Sequence, residues 1–442
     1  MSSADTSVIF EPLRFRTLEL KNRVLRSSLA GRFSNYDGTG TQAHVNWDLK
    51  FAGGGVGAII SSNAPVHPRG LIVPNYAHID RDETVPFWRE VVRRVHERDC
   101  RYLVQLAFSG RQRDLGGIQF EKGWSSTDRS EPVHGLRCER MTVEQIRELV
   151  DRFAQGARRA REAGADGIEV HGCNGYLITQ FLSPAINDRK DEYGGSLENR
   201  ARFAREIVRA IRAEVGDDYH LQFKITAVDY GRDLLPWAAK GTTLEESTQV
   251  CRWLEDAGVD AFHVSSGHSF PHPRNPAGGF PVEDVVRGYD TMISSGRHTF
   301  RNYLLFRFWP VNKVFKWAWE RAAKGRVEGI NLADCRTIKE AISVPVVCTG
   351  GFQTASVVAA AIARGDCDGV TIARPLIANP DLVELWRAGH DRPPRPCTYS
   401  NKCLINQLEG PLGCYDESRF QTREEMVEEI LSVYEPPQFA AS

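Results

Sequence analysis

Short, nearly continuous apolar runs recur along the chain and alternate with longer stretches of helical period. The runs are RVLRSSL, VGAIISS, RYLVQLA, GIEVHG, LQFKIT, AFHVSS, VPVVCTG and DGVTIAR. Their length and Val/Ile content predict strands buried on both faces. Between them the apolar positions return every three to four residues. Over 142–165, Ile146, Leu149, Val150, Phe153, Ala157 and Ala160 share one helical face. Thr142 with Gln145, and Thr243 with Glu246, predict capping boxes at two helix starts. Glycines in EAGADG and EDAGVDA predict helix ends just before the next strand. Eight strands alternating with helices predict an α/β fold with a parallel sheet, and eight is the number that closes a (β/α)8 TIM barrel. The alternation alone also fits a doubly wound open sheet.

Three segments break this rhythm. Residues 108–140 form a polar connection long enough for a small hairpin. Residues 268–330 are a long insertion after the sixth strand, and 391–442 a Pro-rich tail ending in an acidic helical stretch. Loops of such length are uncommon unless they serve as lids or partner surfaces or stay disordered.

Composition narrows the function. A formal net charge of −1 gives no reason to expect nucleic acid as the main partner. No run of eighteen apolar residues predicts a membrane span, and the first residues lack a signal-peptide pattern. Ten cysteines, mostly scattered singly, predict reduced thiols in a cytoplasmic protein.

In a barrel, chemistry sits at the carboxyl ends of the strands. Those ends carry Ser28, Ala30, Asn63, Gln105, His171 to Tyr176, Lys224, Ser265, Ser266, Gly350, Gly351, Ala373 and Arg374. No acidic pair is among them, which argues against glycosidase chemistry. His171 has no second ligand at metal spacing, which argues against a His-rich metal site. The set offers donors for anionic oxygens and one phenol. The small residues and arginine closing the seventh and eighth strands predict a phosphate site.

The run HGCNGYLITQFLSPAINDRKDEYGGSLENRAR resembles the old yellow enzyme family of flavin-dependent ene-reductases. So do LKNRVLRSS, GGGVGAII, VQLAFSGR and VTIARPLIANPDL, in the family's order over residues 8–390. The resemblance implies a barrel binding FMN noncovalently, reduced by NAD(P)H and delivering hydride to an activated alkene. It implies that His171 and Asn174 bond the substrate carbonyl and that Tyr176 donates the proton. Hydride addition to an enone puts negative charge on the carbonyl oxygen, which two fixed donors stabilise. A phenol is acidic enough to protonate a strongly basic enolate. The resemblance also places Gln105 at the flavin pyrimidine edge, Lys224 near flavin N1 and O2, and Gly350, Gly351, Ala373 and Arg374 at the phosphate. Ser28, Ala30 and Asn63 fall on the flavin as well.

Four residues depart from the family pattern. Lys224 stands where arginine is usual, keeping the charge but losing the planar fork. Ala30 replaces a Thr or Cys that bonds flavin O4, Ser28 replaces a proline, and Phe108 replaces a histidine. These changes make the pocket less polar and leave the substrate open; a bulky, hydrophobic enone would suit an aromatic cover such as residues 300–325 offer. Residues 300–325 interleave aromatics with Arg and Lys. They read first as a lid over the barrel mouth and second as a membrane-surface patch. The tail carries Cys397, Cys403 and Cys414 with Ser400 between them. Larger relatives have four cysteines here for an iron–sulfur cluster, so the tail reads as a packing remnant, with a three-cysteine metal site as the lesser alternative. Two rival functions stay open: an FMN dehydrogenase or demethylase-like enzyme that passes electrons on, and a noncatalytic flavin- or metal-binding barrel. The oligomeric state is left open too.

Overall fold

A computed structural model describes residues 5–434, apart from 114–119, 232–238, 268, 270, 271, 293–295, 323, 324 and 326. Eight parallel strands close into a barrel in chain order. They are β1 (Val24–Arg26), β2 (Ala58–Pro65), β3 (Arg101–Ala107), β4 (Gly167–Gly172), β5 (His220–Thr226), β6 (Ala261–Ser265), β7 (Val346–Thr349) and β8 (Gly369–Ile372). Pairing of β8 with β1, Val370 against Val24, completes the ring. The open-sheet alternative is therefore excluded.

Helices surround the barrel as the period predicted. On Val143–Glu162, Ile146, Leu149, Phe153, Ala157 and Ala160 are buried and Val150 is half-buried. Both capping boxes form. Gln145 N donates to Thr142 Oγ1 at 3.2 Å, and Thr142 N donates to Gln145 Oε1 at 2.8 Å. Glu246 and Thr243 make the same reciprocal pair.

Alternation along each strand turns every second residue inward. The lowest interior layer is apolar. Leu25, Ala58, Ile60, Leu103, Ala261 and Val347 pack there on Phe15, Leu18 and Leu20. Leu20 belongs to a short antiparallel pair, Leu13–Arg14 with Glu19–Leu20, whose turn carries Phe15 and Leu18, and the whole plugs this end. Two residues further along the same strand faces stand Gln105, His263 and Thr349, and two further still His171, Lys224 and Ser265 follow on their own strands.

The 108–140 connection departs from its expected hairpin. Gly123–Ser125 and Cys138–Arg140 pair in parallel. The reversal is taken up by a compact loop, in which the Glu131 carboxylate accepts from the N–H groups of Val133 (2.7 Å) and His134 (2.6 Å).

Insertion and tail share a second small core. Phe280, Val282, Val285 and Trp319 pack there with Phe306 and Phe315 of the insertion and Ile405 and Leu408 of the tail. Asn302 Nδ2 donates to Val133 O at 2.7 Å, tying the insertion to the 108–140 connection. The ten cysteines are free.

Candidate active site

A polar belt crosses the barrel interior above the apolar plug. Glu169, on β4, is fully buried. It accepts from Gln105 Nε2 (2.5 Å), Gln222 Nε2 (2.5 Å) and His263 Nδ1 (2.7 Å). Burial opposes its ionisation, but His263, Lys224 and Gln105 outweigh that and take the carboxyl down to about 2. Burial also keeps His263 below the ordinary imidazole value, against the pull of Glu169. A neutral imidazole protonated on Nδ1 fits this setting, because Nε2 then faces the hydroxyls of Thr349 at 2.5 Å and Thr371 at 2.8 Å as an acceptor. The belt is a buried anion with three N–H donors.

One layer higher the strands deliver the polar rim. His171 lies beside Lys224 in register, and Lys224 beside His263. After β4 the chain turns through Asn174, whose φ of 62° is the left-handed region that asparagine tolerates. Gln112 Nε2 holds this turn by donating to Asn174 O at 2.8 Å. The turn brings Tyr176, at the start of helix Leu177–Leu182, back over His171. The two rings meet edge to face with centroids 4.9 Å apart.

His171, Asn174 and Tyr176 are all buried, at 5 %, 8 % and 7 % exposure. Burial, then the nearby Lys224 charge, pushes His171 well below the usual imidazole range, so the ring is neutral. Burial pushes the Tyr176 phenol well above its usual value, so it keeps its proton. Neither the Tyr176 hydroxyl nor Asn174 Nδ2 has a protein partner among the described residues. Cys173 sits between them. Its thiol donates to Asn174 Oδ1, its Sγ lies 3.6 Å from His171 Nδ1, and burial pushes it up to about 12.

The other expected residues gather in two places. Ser28 Oγ donates to Asn63 Oδ1 at 3.4 Å, and Asn63 neighbours Gln105 in the β2–β3 pairing. Ala30 is half-buried against Leu71, Val73 and Tyr76. On the far side, Tyr399 of the tail bridges Gly351 and Arg374. Its hydroxyl donates to Gly351 O at 2.5 Å, and the Arg374 guanidinium lies 5.4 Å from its ring. Arg374 Nη1 donates to Ala277 O at 2.6 Å and also to Asn401. Its Nε and Nη2 have no protein partner among the described residues. Ala373 caps the short helix Arg374–Ala378, and Gly350 precedes Gly351 at the end of β7. Arg419 Nη1 donates to Cys414 Sγ at 2.9 Å, and Tyr399 N to Cys397 Sγ at 3.4 Å. Among the described residues, no three His, Cys, Asp or Glu side chains are placed to hold a metal ion, Cys397, Cys403 and Cys414 included.

The sequence of the NADH:flavin oxidoreductase / NADH oxidase family matches residues 8–283, and that of the dihydrouridine synthases matches residues 320–423. An NADPH dehydrogenase of Bacillus subtilis is 36 % identical over 65 % of this chain and 84 % of its own length. The chain belongs to the old yellow enzyme family. A Thermoanaerobacter brockii NADH oxidase is 29 % identical over 92 % of the chain and 57 % of its own length. The chain thus spans little more than half of that longer relative. The old yellow enzyme homologue from Zymomonas mobilis superposes with a TM-score of 0.67, at 20 % identity, over 91 % of this chain and 99 % of that one.

Membership in the old yellow enzyme family implies FMN as cofactor and NAD(P)H as reductant. The polar atoms left over in this barrel suit such a group. Lys224 is buried at 7 % exposure with no hydrogen bond or ion pair among the described residues. Gln105 Oε1 and Ser266 Oγ are buried without partners among the described residues. A buried cation and orphaned amide and hydroxyl groups are costly unless a ligand completes them.

Several residues of this site escape a strand-end reading. Glu169, Gln222 and His263 precede His171, Lys224 and Ser265 by two positions each, so the period of two marks them as sharing the inward face. Cys173 lay inside the quoted motif. Tyr76 stands close enough to reinforce burial in raising the Tyr176 phenol; it comes from a loop, and no sequence period points to it.

Proposed function

We propose that this chain reduces the activated C=C bond of α,β-unsaturated carbonyl compounds, with His171 and Asn174 holding the carbonyl oxygen and Tyr176 supplying the proton. The observation that carries the reading is the convergence of a neutral imidazole, a free amide N–H donor and a protonated phenol at one strand end. When bound, FMN supplies the redox chemistry, accepting hydride from NAD(P)H and delivering it to the alkene. Lys224 and Gln105 would hold the pyrimidine edge, Ser28, Ala30 and Asn63 would lie against the ring, and Gly350, Gly351, Ala373 and Arg374 would hold the phosphate. Negative charge grows on the substrate oxygen as the β-carbon gains hydride. Two preset donors there need no reorganisation, which is what makes them effective. Tyr176 then releases its proton to the α-carbon, and burial keeps that proton in place until the enolate arrives.

The test is anaerobic and follows flavin absorbance. NAD(P)H should bleach the purified holoprotein, and a panel of cyclic and polycyclic enones should restore the colour. Bleaching with no recovery by any enone sinks the reading. The tail thiols give the electron-relay rival its one foothold, so iron should be measured on the same sample. About one FMN per chain without iron supports the reductase; about four irons per chain would favour the rival.

A further inference from the structure

Seven of the eleven large apolar side chains exposed on the described surface fall between Phe300 and Trp317. They lie on two helices of the insertion, Thr299–Arg307 and Trp309–Ala322, and at Phe308 between them. The inner face of this pair already has a partner. Phe306, Phe315 and Trp319 stack on Phe280, with ring centroids 4.7–5.4 Å away, and Trp319 Nε1 donates to Gly278 O at 3.2 Å. The outer face has none among the described residues. Phe308, Trp309, Val314 and Trp317 stand 61–68 % exposed.

Charge decides what fits this outer face. Arg301, Arg307, Lys313, Lys316 and Arg321 are all exposed, and Glu320 is the one acidic residue of the two helices. No carboxylate pairs with any of the five cations among the described residues. The whole chain has a net charge of −1, so this cation excess is local. A substrate lid would use the inward-facing Phe306, Phe315 and Trp319, and it leaves the outward-facing Trp309 and Trp317 unexplained. Self-association through a twofold axis would press two cationic patches together. An anionic lipid surface satisfies both features at once. Indole rings settle at headgroup depth, while Lys and Arg stems reach up to the phosphates.

We propose that this face of the insertion docks on an anionic phospholipid bilayer. It lies on the membrane rather than across it, since no helix among the described residues is long and apolar enough to span one. The reaction proposed above plays no part in the argument.

FMN-loaded protein should be floated with vesicles of phosphatidylcholine alone and of equal parts phosphatidylcholine and phosphatidylglycerol. Binding is expected to the mixed vesicles only, weakening as salt rises. Trp309→Ser with Trp317→Ser, and separately Lys313→Glu with Lys316→Glu, should each weaken it by at least about tenfold. Because Lys313 and Lys316 are exposed and pair with no carboxylate among the described residues, the charge-reversal variant should keep its bound flavin and its unfolding temperature. Failure of the unaltered protein to bind the mixed vesicles overturns the proposal. So does equal binding by both variants. Sedimentation as a dimer that the tryptophan variant alone dissociates would assign the face to a second copy instead.

Discussion

Two adjacent layers inside the same barrel are built on opposite rules. In the belt, Glu169 has three N–H donors, and His263 is bonded through both ring nitrogens. In the rim above it, Lys224, the Tyr176 hydroxyl and Asn174 Nδ2 have no protein partner among the described residues. Both layers are buried, so the contrast is not one of solvent access. A saturated layer fixes geometry, because each group holds its neighbours in place. An unsaturated buried layer is unstable by itself and is completed by what binds there. Substitutions in the two layers should therefore fail differently: the belt in stability, the rim in binding and turnover.

The largest effect should come from the rim. Tyr176→Phe removes one oxygen that bonds nothing among the described residues, so unfolding temperature and FMN content should hold. On the proposed function, reoxidation by an enone should slow by about tenfold to several thousandfold, with reduction by NAD(P)H unchanged. Single-turnover kinetics separate the two half-reactions. An unaltered oxidative half-reaction would remove Tyr176 from its role.

Glu169→Gln should show the opposite profile. It keeps the shape but replaces an acceptor of three N–H bonds with a group that itself donates, setting an amide N–H against other donors. A loss of about 2–4 kcal/mol in unfolding free energy is expected. The pH dependence has a definite sign. The carboxyl sits at about 2 in the folded chain against an ordinary 4.5, so its stabilisation is present above pH 4.5 and is lost as pH falls toward 2. The variant should flatten that part of the stability curve. Denaturant titrations at several pH values would test it, and an unchanged acid limb would mean the belt is not anionic.

This division of labour was only half legible in the sequence. The barrel could be read from continuous apolar strands and helical periods, because both depend on local spacing. His171, Asn174 and Tyr176 could be read from one motif, because a single turn assembles them. The belt needed four strands, and of its residues Glu169, Gln222 and His263 each looked like an isolated polar residue in an apolar run. Tyr399 and Asn401 meeting Gly351 and Arg374 could not be read, since that contact joins the tail to two strand ends far apart in sequence. The expected hairpin in 108–140 failed for a related reason: loop length alone does not set strand direction.

Lys224→Gln sharpens the comparison from the rim side. No hydrogen bond among the described residues is lost, so stability should change little beyond the lost attraction to Glu169. FMN should bind about tenfold more weakly, as expected when one charge-assisted contact worth about 1.4 kcal/mol is removed. Fluorescence titration of flavin into the apoprotein measures it. Lys224→Arg should recover most of the affinity, since it keeps the charge. A fall in stability comparable to that of Glu169→Gln would place Lys224 in the belt rather than the rim.

The smallest effect should come from Ala30, where the rim lacks a donor instead of leaving one free. The family motif places a hydroxyl or thiol here against flavin O4, and this chain has a methyl group half-buried beside Leu71, Val73 and Tyr76. On the proposed function, Ala30→Thr adds a donor that favours the reduced cofactor, in which O4 carries more negative charge. One hydrogen bond is worth about 1 kcal/mol, which for a two-electron couple is a rise of about 20 mV in midpoint potential. Equilibrium titration against a reference dye resolves a shift of that size. Ala30→Val supplies the control, because it adds the same bulk without the hydroxyl and should leave the potential where it was. If threonine and valine shift it equally, packing rather than hydrogen bonding governs this position, and Ala30 does not face flavin O4.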